Sequence, residues 1–266
     1  MAENGFSFAE FIKQILAEGR ISFTIEEIMQ SSGYNRKTAQ VSLSRLANNG
    51  GVALIRQGFY VIITPEFSSQ QSVPPLMYID DLMKYIGRVY YVSLLSAAAL
   101  HGAAHQQPMH FFVTISKPSI RNIDGDRWNI TFNTKKEWDK SLITQKKTRI
   151  GYVNVSTPEA TMLDLVENQR TFGLGRIAGV IDELSERVSR ATLRSSATYF
   201  PTAILQRLGY ILEVILGKEE LTKGLASILA KRSTYPQYLS LSAEKCGTLN
   251  TKWKVIVNDQ IETDFI

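Results

Sequence analysis

Between Asn35 and Arg56 the sequence gathers side chains suited to recognising a nucleic acid. Asn35, Arg36, Lys37, Gln40, Ser44, Arg45 and Arg56 supply the amides, hydroxyl and cations that hydrogen-bond base edges and phosphates. Residues 1–66 hold six basic and six acidic side chains, yet every acid except Glu66 precedes Gly33, so these cations stand in an acid-free run. A second excess lies between Lys117 and Arg149, nine basic against four acidic residues, including Lys117, Arg121, Arg127, Lys135, Lys136, Lys146, Lys147 and Arg149. It reads either as a second phosphate-facing surface or as a solvated face.

Other residues offer chemistry of other kinds. His101 and His105 are four apart on an expected helix, but the residues between them are Gly, Ala and Ala. The glutamate of a metalloprotease motif is missing, and packed or hydrogen-bonded imidazoles are expected. Asp124-Gly125-Asp126, with Glu137 or Lys135 as helpers, could form the magnesium site of a nuclease. The same three residues make an ordinary turn between strands. Cys246 has no histidine near it in sequence to support a reactive thiol. Gly173 and Gly175 follow no strand and lack the lysine of a phosphate-binding loop. The site reading is therefore non-catalytic, with no metal and no cofactor expected.

The elements that must position the cations are well signalled. Ser7 and Glu10 form a capping box, with Phe6 and Phe11 as a hydrophobic staple, and Phe8, Phe11, Ile12, Ile15 and Leu16 recur at helical spacing up to Gly19. Thr24 and Glu27 repeat the capping signal for a short helix that Gly33 closes. Asn35 caps a third helix running to about Asn48. At 100° per residue, Ala39, Leu43 and Leu46 share the inward side, while Lys37, Gln40, Val41, Ser44, Arg45 and Asn48 point away. Two apolar strands, Val52 to Ile55 and Phe59 to Ile63, follow as a hairpin with Arg56 at its tip. Helix, turn, helix and hairpin in that order predict a winged helix-turn-helix.

At 266 residues the chain is long enough for two unequal domains. A winged helix-turn-helix is expected over 1–65, a polar and proline-rich linker over 66–78, and a larger domain over 79–266. In the larger domain, helices are expected at 79–86, 93–102, 157 onward, 175–187, 201–216 and 221–230, and strands at 110–115, 128–132, 151–155 and 252–257. Strands followed by helices make the whole α+β rather than an alternating parallel sheet. Apolar residues at 44% and charged residues at 21% are ordinary globular values. One cysteine, no basic start leading into an apolar stretch and no apolar run near 18 residues point to a cytoplasmic protein that neither spans nor enters a membrane.

Two longer stretches carry a family likeness. Residues Tyr90-Tyr91-Val92-Ser93-Leu94-Leu95-Ser96-Ala97-Ala98-Ala99-Leu100-His101-Gly102, followed by Gln106-Gln107-Pro108, and the later Ser156-Thr157-Pro158-Glu159-Ala160-Thr161-Met162-Leu163-Asp164-Leu165, resemble segments of the AbiEi antitoxin C-terminal domain. With the N-terminal elements, the likeness extends over essentially the whole chain. The resemblance implies a phage-defence regulator that represses its own operon by binding double-stranded operator DNA. It also implies a functional partner, an AbiEii-like toxin similar to nucleotidyltransferases, countered in the type IV manner without a stable direct complex. Two rival readings stand beside it: a DNA-targeted nuclease using Asp124 and Asp126, and a ligand-sensing repressor of unrelated genes.

Overall fold

The computed structural model describes residues 6–103, 110–125 and 129–261. The first elements are α1 (Phe8–Ala17), β1 (Ser22–Thr24), α2 (Ile25–Ser32), α3 (Arg36–Asn48), β2 (Val52–Arg56) and β3 (Phe59–Ile62). Local signals set the helix starts. The Ser7 side chain accepts from the Glu10 amide, and the rings of Phe6 and Phe11 lie 5.9 Å apart. At α2 both halves of the capping box form, the Glu27 amide donating to Thr24 Oγ1 and the Thr24 amide to the Glu27 carboxylate. Gly33 ends α2 in the left-handed region at φ 71°, and Asn35 Oδ1 accepts from the Thr38 amide to start α3.

β1 has no counterpart in the sequence reading. Three residues are too few to show an alternation, and the strand exists because it pairs antiparallel with β3, giving a sheet in the order β1-β3-β2. That pairing buries Phe23 between the ring edge of Phe11 and the stacked face of Tyr60. Phe11, Ile15, Ile28, Ala39 and Leu43 complete a small core in which α1, α2 and α3 lean on the sheet.

Residues 65–78 run as two 3-10 turns, Pro65–Phe67 and Pro75–Met77, joined by irregular chain with Val73, Pro75 and Tyr78 buried. The polar stretch is thus pinned by its few apolar members. Beyond it come α4 (Ile79–Ile86), β4 (Tyr90–Val92), α5 (Leu94–Leu100), β5 (His110–Ser116), β6 (Asn129–Lys135), β7 (Ile143–Lys147) and β8 (Tyr152–Ser156). These strands form one mixed sheet in the order β6-β5-β4-β8-β7, parallel within β5/β6 and β4/β8 and antiparallel within β4/β5 and β7/β8. Then α6 (Pro158–Glu167), α7 (Gln169–Phe172), α8 (Leu174–Ser185), α9 (Arg190–Ala197), α10 (Thr202–Tyr210) and α11 (Glu219–Leu229) follow in succession. Short strands β9 (Gln237–Tyr238), β10 (Thr248–Asn250) and β11 (Val255–Val257) close the described chain. The α+β class is as expected. The strand expected at 252–257 is shorter, Val255–Val257, because residues 251–254 form the turn that pairs it antiparallel with β10. α9 falls outside the expected helices although Ser189 and Thr192 cap it reciprocally.

Strand alternation divides the large sheet into two unlike faces. Val92, Val113, Ile115, Ile130, Val153 and Val155 lie in one core with Ile79, Leu82 and Met83 of α4. Ile21, Phe59 and Val61 of the N-terminal sheet belong to that same core. The seam carries directed bonds too. Ser22 Oγ donates to Asp81 at 2.6 Å, and Tyr85 Oη donates to the Gln57 carbonyl at 3.0 Å while its ring packs on Phe59. The β2–β3 hairpin is therefore gripped at its turn by α4. Gly58 completes that turn at φ 82°, and a Cβ there would stand 2.5 Å from Tyr85 Oη. Gly58→Ala should destabilise the chain by about 1–2 kcal/mol, the cost of a left-handed alanine, read from urea denaturation midpoints.

Candidate nucleic-acid interface

The burial of α3 follows its helical phase. Ala39 and Leu43 are fully inside, whereas Asn35, Arg36, Lys37, Gln40, Ser44, Arg45 and Asn48 are all exposed. The hairpin stands beside this outward face, leaving a cleft of about 490 Å³ walled by Gln40, Ser44 and Asn48 on one side and Leu54, Gln57 and Tyr60 on the other. Lys37, Arg45 and the half-buried Arg56 enter no ion pair among the described residues. Arg36 differs from the expectation of an unopposed cation. Its guanidinium meets Glu26 at 2.9 Å, because the short α2 lays its first turn against the start of α3. Both partners are about half exposed, so the pair is weakly held and an anion can compete for the arginine. Asn35 likewise has a structural task, its carbonyl oxygen being the cap of α3.

Some contributors to this surface were not legible beforehand. Leu54 and Tyr60 line the cleft next to an irregularity in the hairpin, the pairing register shifting between Leu54 and Arg56. Leu54 at 57% and Val41 at 47% exposure put apolar surface among the polar donors, suited to thymine methyl groups. Tyr85, which fixes the hairpin turn, lies on a helix of the other half of the chain.

The second basic stretch does not assemble into one surface. Lys117, Arg121, Lys136 and Lys147 are exposed, but Lys136 follows β6 and Lys147 ends β7, opposite edges of the sheet and about 19 Å apart at four strand spacings. Arg149 pairs with Glu66 at 2.9 Å, and Lys146 donates to the Leu100 carbonyl. Arg127 lies outside the described residues. Lys135 turns inward to Asp164 at 2.5 Å and Glu167 at 2.8 Å, with its ammonium over the ring of Phe200. Burial opposes its charge, yet the two carboxylates hold its pKa above the usual lysine value. Tyr91 Oη donates to the other oxygen of Asp164 at 3.1 Å, and burial followed by the Asp164 charge pushes the phenol far up, so it stays a donor.

This network also removes Lys135 from any role beside Asp124. Asp124 is exposed; beside it Ile123 bridges Ile130, and the Gly125 amide donates to Asn129 Oδ1. Asp126 and His105 lie outside the described residues. Among the described residues no group of three or more His, Cys, Asp or Glu side chains is placed to hold a metal ion, and no helix is long and apolar enough to cross a membrane. Cys246 is exposed. His101 is the packed histidine expected, with Nε2 donating to the Ser156 carbonyl at 2.7 Å. Ser156 in turn contacts Thr161 on α6.

Comparison with known proteins bears on the larger half of the chain. Residues 91–214 match the family described as the AbiEi antitoxin C-terminal domain, a narrower span than the full-length likeness read from the sequence. Both quoted segments fall almost wholly within it. A similar solved structure is that of the RV2827C protein from Mycobacterium tuberculosis, with 16% identity, a TM-score of 0.66 and coverage of 93% of this chain and 90% of that one. At that identity the likeness concerns the fold. No curated protein matches.

His101 gives the matched region a pH signature. Burial lowers its pKa from 6.5, outweighing the Ser156 contact, so the native state disfavours the proton that the unfolded chain accepts. The stability it contributes is complete above pH 6.5 and is lost as pH falls from there toward the lowered native value. Thermal melts from pH 7.5 to 5 should show the midpoint dropping through this window, and His101→Gln should flatten that drop.

Proposed function

We propose that this chain, which carries an AbiEi antitoxin C-terminal domain over residues 91–214, is a non-enzymatic, DNA-binding repressor and antitoxin. In this reading residues 1–65 are a winged helix-turn-helix that docks on duplex DNA, with α3 in the major groove and the β2–β3 hairpin along the backbone. The observation that carries it is the outward face of α3: Lys37, Gln40, Ser44 and Arg45 exposed together, the two cations in no ion pair among the described residues, next to a hairpin bearing Arg56. A major groove about 12 Å wide admits one helix, and its phosphates reward cations that have no internal partner.

The target is operator DNA upstream of the chain's own operon, which the protein represses. The larger domain supplies the antitoxic function against an AbiEii-like nucleotidyltransferase toxin, in the type IV manner, without a lasting complex between the two. The match of residues 91–214 to that family supports the antitoxin role; the operator bound and the toxin are proposals built on it.

Fluorescence anisotropy with the upstream DNA tests the docking. Gln40→Ala should cost about 1–3 kcal/mol on the cognate site and little on unrelated DNA. Arg56→Ala should weaken both alike and reduce the salt slope by about one. Affinity that ignores ionic strength, or is unchanged in both variants, would remove this face from the interface.

A further inference from the structure

Where the segment 65–78 crosses the large sheet there is a cavity of about 690 Å³, within the roughly 300–1,000 Å³ of small-molecule sites. Its walls are apolar: Phe67 and Met77 from the crossing segment, Leu100 from the end of α5 and Phe111 from β5. Its rim is the turn between β7 and β8, which brings Lys147 and Arg149 to the opening. No acidic residue lines it among the described residues. Lys147 enters no ion pair among them. Arg149 is engaged by Glu66, but both are exposed, and such surface pairs exchange readily.

An apolar hollow with two cations at its mouth and no acid on its wall selects a molecule with a hydrocarbon body and an anionic head. We propose that this cavity binds a small, soluble anionic amphiphile of the medium-chain carboxylate class. The alkyl chain lies against Phe67, Met77, Leu100 and Phe111, and the carboxylate bridges Lys147 and Arg149, replacing Glu66 on the arginine. Removal of alkyl surface from water drives entry, and charge-assisted hydrogen bonds set the orientation. The residues that sequence reading assigned to a second phosphate surface thereby acquire a different anion. Two of the apolar walls belong to the segment joining the two halves, so occupancy ties that segment to the sheet. The site is independent of the DNA-binding reading, since none of its residues lies on α3 or the hairpin.

Isothermal titration of the full chain with hexanoate, octanoate and octan-1-ol provides the test. Octanoate should bind one to one, each added methylene tightening binding roughly fourfold, with octan-1-ol about tenfold weaker than octanoate. Lys147→Glu and Arg149→Glu, both at exposed positions, should each weaken octanoate by about tenfold and leave the alcohol unchanged. Ala99→Phe, which fills the cavity from α5, should abolish both. Absence of binding at millimolar octanoate, equal affinity for acid and alcohol, or charge reversals without effect would overturn the proposal. So would sedimentation with anionic phospholipid vesicles by a chain that takes up no octanoate.

Discussion

The two halves of this chain are held in register by one apolar contact, the burial of α4 between two sheets. Ile79, Leu82 and Met83 are fully inside and share one core with Phe59 and Val61 of the smaller sheet and Val113 and Val155 of the larger. At about 25 cal/mol per Å² of apolar surface removed from water, a layer of this kind contributes far more than the few polar bonds around it. Those bonds give direction instead. Ser22 to Asp81 and Tyr85 to Gln57 fix how the smaller sheet sits, and so where the β2–β3 hairpin points. The cleft between hairpin and α3 inherits its shape from that seam, although every residue lining it lies in the first 60 positions.

The opposite face of the large sheet follows another physical logic. Tyr91 and Lys135 project from it toward helices, where Asp164 and Glu167 satisfy them, and Thr114 beside them donates to Ser93 Oγ at 2.9 Å. A buried pair of this kind adds little net stability over apolar packing, but losing one partner leaves an uncompensated charge and costs several kcal/mol, about 3–5. The network therefore acts as a constraint on how α6 docks rather than as a source of stability. It also withdraws a lysine from the surface. A charge count along the chain cannot register that withdrawal, because it is blind to which face of a strand a residue occupies.

The proposed interface and the proposed ligand cavity illustrate the same distinction. On α3 the cations stay available because the helix turns them away from Ala39 and Leu43 and because, Arg36 apart, none pairs with an acid among the described residues. On the β7–β8 hairpin, Lys146, Lys147 and Arg149 are near neighbours in sequence with three different fates: a carbonyl, an open rim and a glutamate from position 66. Like residues take unlike roles according to what the fold brings alongside them.

The sequence by itself determined the local features. The caps at Ser7, Thr24, Asn35 and Thr157, the turn at Gly33 and the inward phase of α3 rest on interactions within about four residues, and such interactions are printed in residue order. The family-matched segments were visible for a similar reason, being contiguous stretches. Only the tertiary structure decided which distant residues meet. The three-residue β1 and β4, the Glu26 beside Arg36, the grip of Tyr85 on the hairpin, the inward turn of Lys135 and the cavity beneath Lys147 all depend on long-range packing. Those contacts arise from closing the chain on itself around α4, and no periodicity or local propensity encodes a partner tens of residues away.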